Sequence, residues 1–308
     1  MITAFHHAGF AAPIGEAHQM PMRKFALVAE VVRLDPGVEL RAPDPLTENE
    51  LLTVHTPEYV TAIRAGLPRP LAESQRFPWS PELFPSVCLT NGGCVAAARH
   101  AARHGIAAAI ASGFHHSHAD HGEGFCTFNG LILAADLLKA SGEIQRLAIL
   151  DLDLHYGNGT ASLAQTRPHV RVLSIYGNDF MRGVPYRDVR IRHHEDGTNH
   201  HSVALPAGCS GVELATVLRE HLPWLLDGFR PDLLLYQAGA DPYFEDPYSP
   251  LKLGIDDLKN RDREVFEFAR AHDLPIAWVL AGGYTRDIQK VVTIHANTFL
   301  AAKEVMGP

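Results

Sequence analysis

The sequence predicts an α/β protein with a single domain, residues 1–308, in which a largely parallel β-sheet is flanked by helices on both faces. Three observations support this prediction. Short β-rich segments alternate with helical ones, the β-rich segments are apolar at nearly every position, and helix start and stop signals separate them. Strands that are apolar on both faces are typical of a parallel sheet covered by helices.

The composition is that of a globular protein with enough apolar residues for a large core. Of the 308 residues, 46% are hydrophobic and 20% are charged. This composition excludes a disordered, collagen-like or disulfide-scaffold chain. The N-terminal residues lack the basic and apolar regions of a signal peptide, and no apolar stretch approaches about 18 residues. We therefore expect neither a signal peptide nor a membrane span.

The cysteine and charge content narrows the expected compartment and partners. Cys88, Cys94, Cys126 and Cys209 form no C-x-x-C pair, and we expect reduced thiols in a cytoplasmic protein. The formal net charge is -8 and no run of lysine or arginine occurs, which argues against nucleic acid as the main partner. An acidic balance is compatible with a basic peptide or amine substrate. These features do not predict an oligomeric state.

Several helix boundaries are marked by capping signals. Thr47-x-x-Glu50 forms a capping box, and Thr56-Pro57-Glu58 places a proline at the first position of the next helix. Gly105 and Gly142 follow apolar segments and predict the ends of two further helices. The longer predicted helices are Gly93–Arg103, Leu131–Lys139, Val212–Leu226, Asp256–Ala271 and Arg286–Val305.

The predicted strands end in polar residues or glycines. The strands are Ile106–Ala111, Leu147–Leu152, Val170–Ile175, Asp232–Gln237 and Pro275–Leu280. In an open α/β sheet, ligands bind beyond the carboxyl ends of the strands. We therefore expect residues that are distant in the sequence to converge at one edge of the sheet.

Asp151, Asp153 and His155 alternate with leucines at one strand end. On an extended segment, side chains two residues apart point to the same side. Burying two carboxylates and an imidazole is unfavourable unless a cation compensates them. Asp153 and His155, with Asp241 from another strand end, would supply three ligands to a divalent ion, which is typical of catalytic zinc. The alternative is that these acids cap helices or pair with arginine.

The adjacent histidines His115 and His116 follow another strand. Adjacent histidines often belong to a polar loop, which is our interpretation of the nearby His118 and His121. Asp151 favours a catalytic role for the pair, because it could accept a hydrogen bond from one imidazole and fix its tautomer. Asn158, three residues after His155, could orient the second imidazole.

The sequence Gly282-Gly283-Tyr284 follows the last predicted strand. Glycines permit close backbone approach or a positive φ. Such a backbone would direct the Tyr284 hydroxyl towards the converging strand ends. The alternative is that Tyr284 is a half-buried packing residue.

Together these segments resemble the zinc-dependent histone deacetylase family, which has the arginase/deacetylase fold. The motifs occur in the family order from about residue 5 to 300 and cover nearly the whole chain. The short length, the Met20-Pro21-Met22-x-Lys24 segment and Asn158 are similar to the class IV branch and its bacterial relatives. The matching segments are Gly113-Phe114-His115-His116, Gly124-Phe125-Cys126-x-Phe128-Asn129, Asp151-Leu152-Asp153-Leu154-His155-x-Gly157-Asn158-Gly159-Thr160, Gln237-x-Gly239-Ala240-Asp241 and Gly282-Gly283-Tyr284.

The resemblance implies a role for each matching residue. One Zn²⁺ would be bound by Asp153, His155 and Asp241. The residues of the reaction would be His115 and His116 as the acid/base pair, Asp151 and Asn158 beside them, and Tyr284 at the substrate carbonyl. The acyl-lysine tunnel would be lined by Phe125, Phe180, Gly124 and Gly283. An inner K⁺ site would involve Asp151, Asp153, His155, Ser174 and Ile175, and an outer one Ala164, Arg167 and Val170.

The chain departs from the family pattern at two positions. Many members have an aspartate where Asn158 stands and a second histidine where Tyr156 stands. A neutral amide stabilises an imidazolium less than a carboxylate does, so our hypothesis is that His116 is more readily neutral and acts as the base. The pairs His193-His194 and His200-His201 match no family site, and we interpret them as loop or surface residues.

The resemblance implies a zinc-dependent hydrolase that removes an acetyl or longer acyl group from the ε-amine of lysine in a protein or peptide. A metal-activated water would attack, with the histidine pair and Tyr284 assisting. The closest alternative is hydrolysis of acetylpolyamines or other small acyl-amines. An arginase-like two-metal hydrolase and a catalytically silent binding module of the same fold are further alternatives.

Overall fold

One parallel β-sheet forms the centre of the computed structural model, which describes residues 1–178 and 198–307. Within these residues the strands are β1 (Ile2–Phe5), β2 (Val38–Arg41), β3 (Ile106–Ala109), β4 (Leu147–Asp151), β5 (Val170–Tyr176), β6 (His200–Ala204), β7 (Leu233–Ala238) and β8 (Ile276–Leu280). Their order across the sheet is β2-β1-β3-β8-β7-β4-β5-β6. Each neighbouring pair is parallel.

Helices surround this sheet. In the described residues they are α1 (Lys24–Arg33), α2 (Glu48–Leu51), α3 (Pro57–Ala65), α4 (Arg69–Ala72), α5 (Leu83–His104), α6 (Gly130–Ala140), α7 (Asn158–Ala164), α8 (Gly211–His221), α9 (Ile255–Ala271) and α10 (Ile288–Met306). The predicted capping box of Thr47 and Glu50 is confirmed at α2. Thr56 caps α3, with Pro57 at its first position. The architecture is therefore the predicted parallel α/β sheet.

Three strands that we did not predict lie at or near the edges of the sheet. β2 and β6 are the edge strands, and β1 lies next to β2. Edge strands carry polar side chains more often than central ones, and β6 begins with His200 and His201. Our interpretation of these two histidines as loop or surface residues is wrong, because both pair with β5 and His200 is only 2% exposed. The pair His193-His194 lies outside the described residues.

Several predicted helix ends need correction. The predicted helix Gly93–Arg103 is the second half of α5, which begins ten residues earlier at Leu83. α8 ends at His221, and Leu222–Leu225 is a 3-10 helix whose second residue is a proline. α10 begins at Ile288 because the Asp287 side chain caps it by accepting a hydrogen bond from the Gln289 backbone N–H.

The central strands β3, β8, β7 and β4 are buried along almost their whole length. Trp278 of β8 packs edge-on against Phe266 of α9 and Phe299 of α10, with ring centroids 5.3 and 5.0 Å away. The four cysteines are buried free thiols. Within the described residues, no helix combines the length and apolarity needed to cross a membrane. The four rigid central strands direct the segments that follow them to one edge.

Candidate active site and metal centre

The segments that follow the four central strands meet at the carboxyl edge of the sheet. They bring together His115 after β3, Asp153 after β4, Asp241 after β7 and Gly282 after β8. The His115 ring lies 3.7 Å from an Asp153 oxygen, and the Gly282 N–H donates to the other Asp153 oxygen at 2.7 Å. The convergence predicted from the strand ends is therefore present.

Asp153, His155 and Asp241 form a buried group whose ligand atoms lie within 4.8 Å of one another. The Nδ1 atom of His155 is 3.1 Å from Asp153 Oδ1 and 3.1 Å from Asp241 Oδ2. Burial alone would lower the pKa of His155, but the two carboxylates outweigh it and raise that pKa to about 10. The group thus stabilises a positive charge where its ligand atoms meet, and one nitrogen with two carboxylates fits a divalent ion.

The backbone around these ligands differs from the extended segment that we predicted. β4 ends at Asp151, so Asp153 and His155 lie beyond the strand. Side chains rather than strand pleating fix them: the Asp153 N–H donates to Asp151 Oδ1 at 3.1 Å, and the His155 N–H donates to Asp153 Oδ1 at 2.9 Å. The residues still gather on one side, but the predicted reason is wrong.

Gly282 is required by the close packing of the candidate metal ligands Asp153 and Asp241. A Cβ atom at this position would lie 1.9 Å from Asp241 Oδ2 and 2.9 Å from Asp153 Oδ2. Gly283 has φ +151, a backbone conformation that side chains strongly disfavour. Both uses predicted for these glycines, close approach and positive φ, are confirmed.

Replacing Gly282 by alanine is expected to weaken metal binding by on the order of 100-fold, the upper effect seen for residues that support metal ligands. The new methyl group must displace the oxygens of Asp153 and Asp241. The measurement is metal content against a competing chelator. The matched control is Gly254→Ala, where a Cβ would meet only one atom, at 3.5 Å. A Gly282→Ala protein with wild-type metal affinity would show that these oxygens do not bind metal.

The two adjacent histidines have different hydrogen-bond partners. His115 Nδ1 lies 2.8 Å from Asp151 Oδ2, and His116 Nδ1 lies 2.7 Å from Asn158 Oδ1. Burial acts to lower the pKa of His115, but the nearby carboxylates of Asp151 and Asp153 outweigh it and raise that pKa. Burial, together with the neighbouring imidazoles, lowers the pKa of His116 well below its usual value. One histidine therefore favours the charged form and the other the neutral form.

Tyr284 lies beside this group and is half-buried. Its ring centroid is 6.4 Å from that of His155, and its backbone N–H donates to Asp246 Oδ2 at 2.7 Å. Burial, and then the negative charges of Asp241 and Asp153, raise the pKa of the phenol well above its usual value. The hydroxyl therefore remains protonated near neutral pH and can act as a hydrogen-bond donor.

The predicted substrate residues are placed in part. Phe125 lies beside the site with φ +66, and its ring stacks on Phe77 at 5.8 Å. Gly124 precedes it with φ +49. The Phe125 ring centroid is 6.0 Å from that of Tyr284. Phe180, the other predicted wall, lies outside the described residues.

The two predicted K⁺ sites differ in what surrounds them. Ser174 pairs with Asp151 across the sheet, and its buried hydroxyl has no hydrogen-bond partner within residues 1–178 and 198–307. At the predicted outer site, the carbonyls of Ala164 and Arg167 both accept hydrogen bonds from Asn199 Nδ2. An amide donor thus contacts the carbonyls of two of the three residues that the resemblance places at the outer ion.

Two buried cations support the site and were not predicted. Lys24 is 0% exposed and donates to the Ala281 carbonyl at 2.6 Å. Burial lowers its pKa to about 8, although Asp241, Asp153 and Asp246 oppose this shift. Arg261 donates to the carbonyls of Gly239 at 2.7 Å and Leu152 at 3.3 Å. Leu152 lies one residue before Asp153 and Gly239 two residues before Asp241, so Arg261 ties the two candidate ligand segments together.

Residues 18–299 match the family model of the histone deacetylase domain. The chain is 32% identical over 97% of its length to an uncharacterized protein of Picosynechococcus sp., of which it covers 98%. It is 29% identical to histone deacetylase 2 of Arabidopsis thaliana, with 91% of this chain and 73% of that protein covered. The fold and these relatives define a deacetylase-family amidohydrolase. The chain belongs to the histone deacetylase domain family, which confirms the resemblance found in the sequence.

The fold is also that of a solved acetylpolyamine aminohydrolase. The crystal structure of acetylpolyamine aminohydrolase from Burkholderia pseudomallei has a TM-score of 0.79 and 21% identity, and the match covers 99% of each chain. This likeness confirms the predicted arginase/deacetylase fold. Because the family contains both protein and polyamine deacetylases, membership leaves the substrate of this chain open.

Proposed function

We propose that this chain is a zinc-dependent hydrolase that removes acyl groups from the ε-amine of lysine in proteins or peptides. The observation that carries the proposal is a buried group of one imidazole and two carboxylates, His155, Asp153 and Asp241, next to paired histidines and a protonated tyrosine. Three protein ligands with open coordination are typical of catalytic zinc. Residues 1–308 would act as one catalytic domain, with K⁺ near Asp151 and Ser174 as a structural ion.

When bound by the three ligands, Zn²⁺ would polarise the substrate carbonyl and lower the pKa of a water molecule. His116, which burial keeps neutral, would take the proton from the attacking water. His115, whose pKa is raised by the carboxylates of Asp151 and Asp153 against the effect of burial, would give a proton to the leaving amine. The Tyr284 hydroxyl would donate to the oxygen of the carbonyl as it becomes negative.

The substrate would reach these groups past Phe125, whose ring faces Phe77 and Tyr284. An aromatic wall suits the apolar methylene chain of an acyl-lysine. Gly124 and Gly283 would let the protein backbone lie close to the methylene chain of the substrate. Neither glycine nor Phe125 sets an acyl-chain length, so acetyl and longer acyl groups are both included.

A panel of substrates tests the proposal. The zinc-loaded protein is mixed with lysine peptides that carry acetyl to myristoyl groups and with acetylated polyamines, and product formation is followed by mass spectrometry. We expect the highest kcat/KM for an acyl-lysine peptide. Higher values for the polyamines would assign the chain to the small acyl-amine deacetylases. Failure of all substrates with full zinc occupancy would favour a silent binding module.

Replacing Asn158 by aspartate is expected to move the acidic limb of the kcat/KM profile to higher pH. A carboxylate at this position stabilises the imidazolium of His116 and raises its pKa. The base must be neutral to accept a proton, so activity would be lost at a higher pH as the solution is acidified. The measurement is kcat/KM against pH for both proteins. An unchanged profile would remove His116 as the base.

A further inference from the structure

A tight turn at residues 123–126 places Glu123 against the acid/base pair. The Glu123 carbonyl accepts a hydrogen bond from the Cys126 N–H at 2.7 Å, and the two central residues have φ of +49 and +66. Positive φ at both central positions is the pattern of a type I′ turn. The turn that contains Phe125 therefore also fixes the backbone of Glu123, whose side chain is 14% exposed.

The Glu123 carboxylate is joined to His116 through Asn158. Asn158 Nδ2 donates to Glu123 Oε2 at 2.8 Å and lies 3.1 Å from His118 Nε2. Asn158 Oδ1 lies 2.7 Å from His116 Nδ1. One amide side chain thus contacts the histidine with one end and the carboxylate with the other.

The hydrogen bonds that join Glu123, Asn158 and His116 can be assigned donors and acceptors in only one way. A carboxylate only accepts hydrogen bonds, so Glu123 requires the NH₂ end of the Asn158 amide. The oxygen end must then face His116, and the Nδ1 atom of His116 must carry a proton. In a neutral imidazole this places the lone pair on Nε2. Without Glu123, the Asn158 amide could turn over and stabilise the opposite tautomer.

The asparagine at position 158 explains why a carboxylate is needed at position 123. An aspartate at position 158 would accept a hydrogen bond from His116 through either oxygen, so its orientation would not matter. An asparagine has two different ends, and only one of them selects the required tautomer. The amide in this chain therefore needs a neighbour that distinguishes its ends.

The alternative is that His118, His121 and Glu123 bind a metal ion. The ligand atoms of His118, His121 and Glu123 lie within 4.8 Å of one another. The Asn158 Nδ2 atom, however, is within hydrogen-bond distance of His118 and Glu123. Its protons already lie against the atoms that a cation would have to contact, which favours orientation of the amide over metal binding.

We propose that Glu123 is a positioning residue of the acid/base pair, which orients the Asn158 amide and thereby sets the tautomer of His116. The proposal rests on the proposed hydrolytic function. In the part of the chain that the structure describes, the Glu123 carboxylate contacts the Asn158 amide and lies 3.8 Å from His118 Nε2. Within residues 1–178 and 198–307, the path from Glu123 to His116 runs through Asn158.

The test is a double-mutant cycle on the zinc-loaded protein with the best substrate of the panel. Glu123→Ala should lower kcat by about 10- to 100-fold, the range for groups that orient an active-site ligand, with little change in KM. Glu123→Gln, whose Oε1 can accept the same bond, should recover part of the loss. Asp120→Ala, an exposed acid of the same loop, is the control and should keep wild-type activity.

The second half of the cycle uses the Asn158→Asp protein. There Glu123→Ala should cause no loss, because an aspartate needs no orientation and no longer faces a like charge. Equal losses in both backgrounds, or a wild-type kcat for Glu123→Ala, would overturn the proposal. A second equivalent of zinc that disappears in Glu123→Ala would also overturn it, since a metal would then occupy the cluster.

A measurement without turnover separates this proposal from the proposed function. Nitrogen-15 NMR of the histidine rings in the zinc-loaded protein, with His116 assigned by comparison with His116→Gln, reports its tautomer directly. We expect protonated Nδ1 in the wild type and a shift towards protonated Nε2 in Glu123→Ala. The same tautomer in both proteins would overturn the proposal even if no substrate is found.

Discussion

The Asp241→Ala protein is expected to lose its zinc and its hydrolytic activity together. Asp241 supplies one of three ligand side chains, and no other carboxylate of the described residues belongs to that group besides Asp153. Residues that merely support a metal ligand alter affinity by about 10- to 100-fold, so loss of a direct ligand should exceed about 100-fold. Elemental analysis of the purified protein and the rate of substrate hydrolysis measure the two losses.

This loss should not reflect unfolding. Burial, and then the neighbouring Asp153, raise the pKa of Asp241 to about 6, so its charge is already unfavourable in the metal-free protein. Asp241→Asn can retain the hydrogen bond from the Leu154 N–H, 3.0 Å from Oδ1, and serves as the conservative variant. A folded Asp241→Ala protein that keeps a full equivalent of zinc would exclude Asp241 as a ligand.

The Tyr284→Phe protein is expected to lose about 10²- to 10³-fold in kcat, as enzymes do when one oxyanion donor is removed. Its zinc content should be unchanged, because the phenol is not a metal ligand. KM should change little, since the hydroxyl bond forms mainly as the carbonyl oxygen becomes negative. Steady-state kinetics and elemental analysis on the same preparation give all three quantities.

Tyr248→Phe is the matched control for this loss. The Tyr248 ring packs perpendicular to Tyr284, with centroids 5.4 Å apart, while its hydroxyl bonds Gln19 at 2.9 Å. Removing this hydroxyl changes the same aromatic group without removing a donor directed at the site. Near-wild-type turnover of Tyr284→Phe, or an equal loss in both variants, would remove Tyr284 from the mechanism.

The sequence predicted the hydrogen-bonded parts of the site because the segments that carry them follow strand ends, and the carboxyl ends of parallel strands converge at one edge of a sheet. Asp151 and Asn158 both lie within a few residues of His155, and each pairs with one of two adjacent histidines. Gly282 and Gly283 were predicted from the backbone freedom that glycine provides. The roles of these residues in a reaction remain proposals that the variants above test.

The supporting residues could not be predicted from pattern alone. Lys24 and Arg261 lie on amphipathic helices, where a lysine or arginine is usually a surface residue. Each is buried because it donates to backbone carbonyls of distant segments, Ala281 in one case and Gly239 in the other. The placement of the Glu123 side chain likewise depends on a turn whose type is set by φ angles. Its contact with Asn158 spans 35 residues.

The limits on predicting the fold have a similar origin. The buried central strands are apolar at nearly every position and were found within two residues of their ends. The strands β2 and β6 mix polar and apolar residues in four or five positions, and pairing with a neighbour rather than periodicity defines them. The segment after β4 was predicted as an extended strand, whereas hydrogen bonds from its backbone N–H groups to the carboxylates of Asp151 and Asp153 shape it.

The central claim, one catalytic zinc ion at Asp153, His155 and Asp241, is tested most directly by metal titration. Metal-free protein receives zinc in fractional equivalents, and hydrolysis of an acyl-lysine peptide is measured at each step. The account predicts no activity without metal and a linear rise that stops at one equivalent per chain. Full activity in the metal-free protein, or a maximum only at two equivalents, would contradict it.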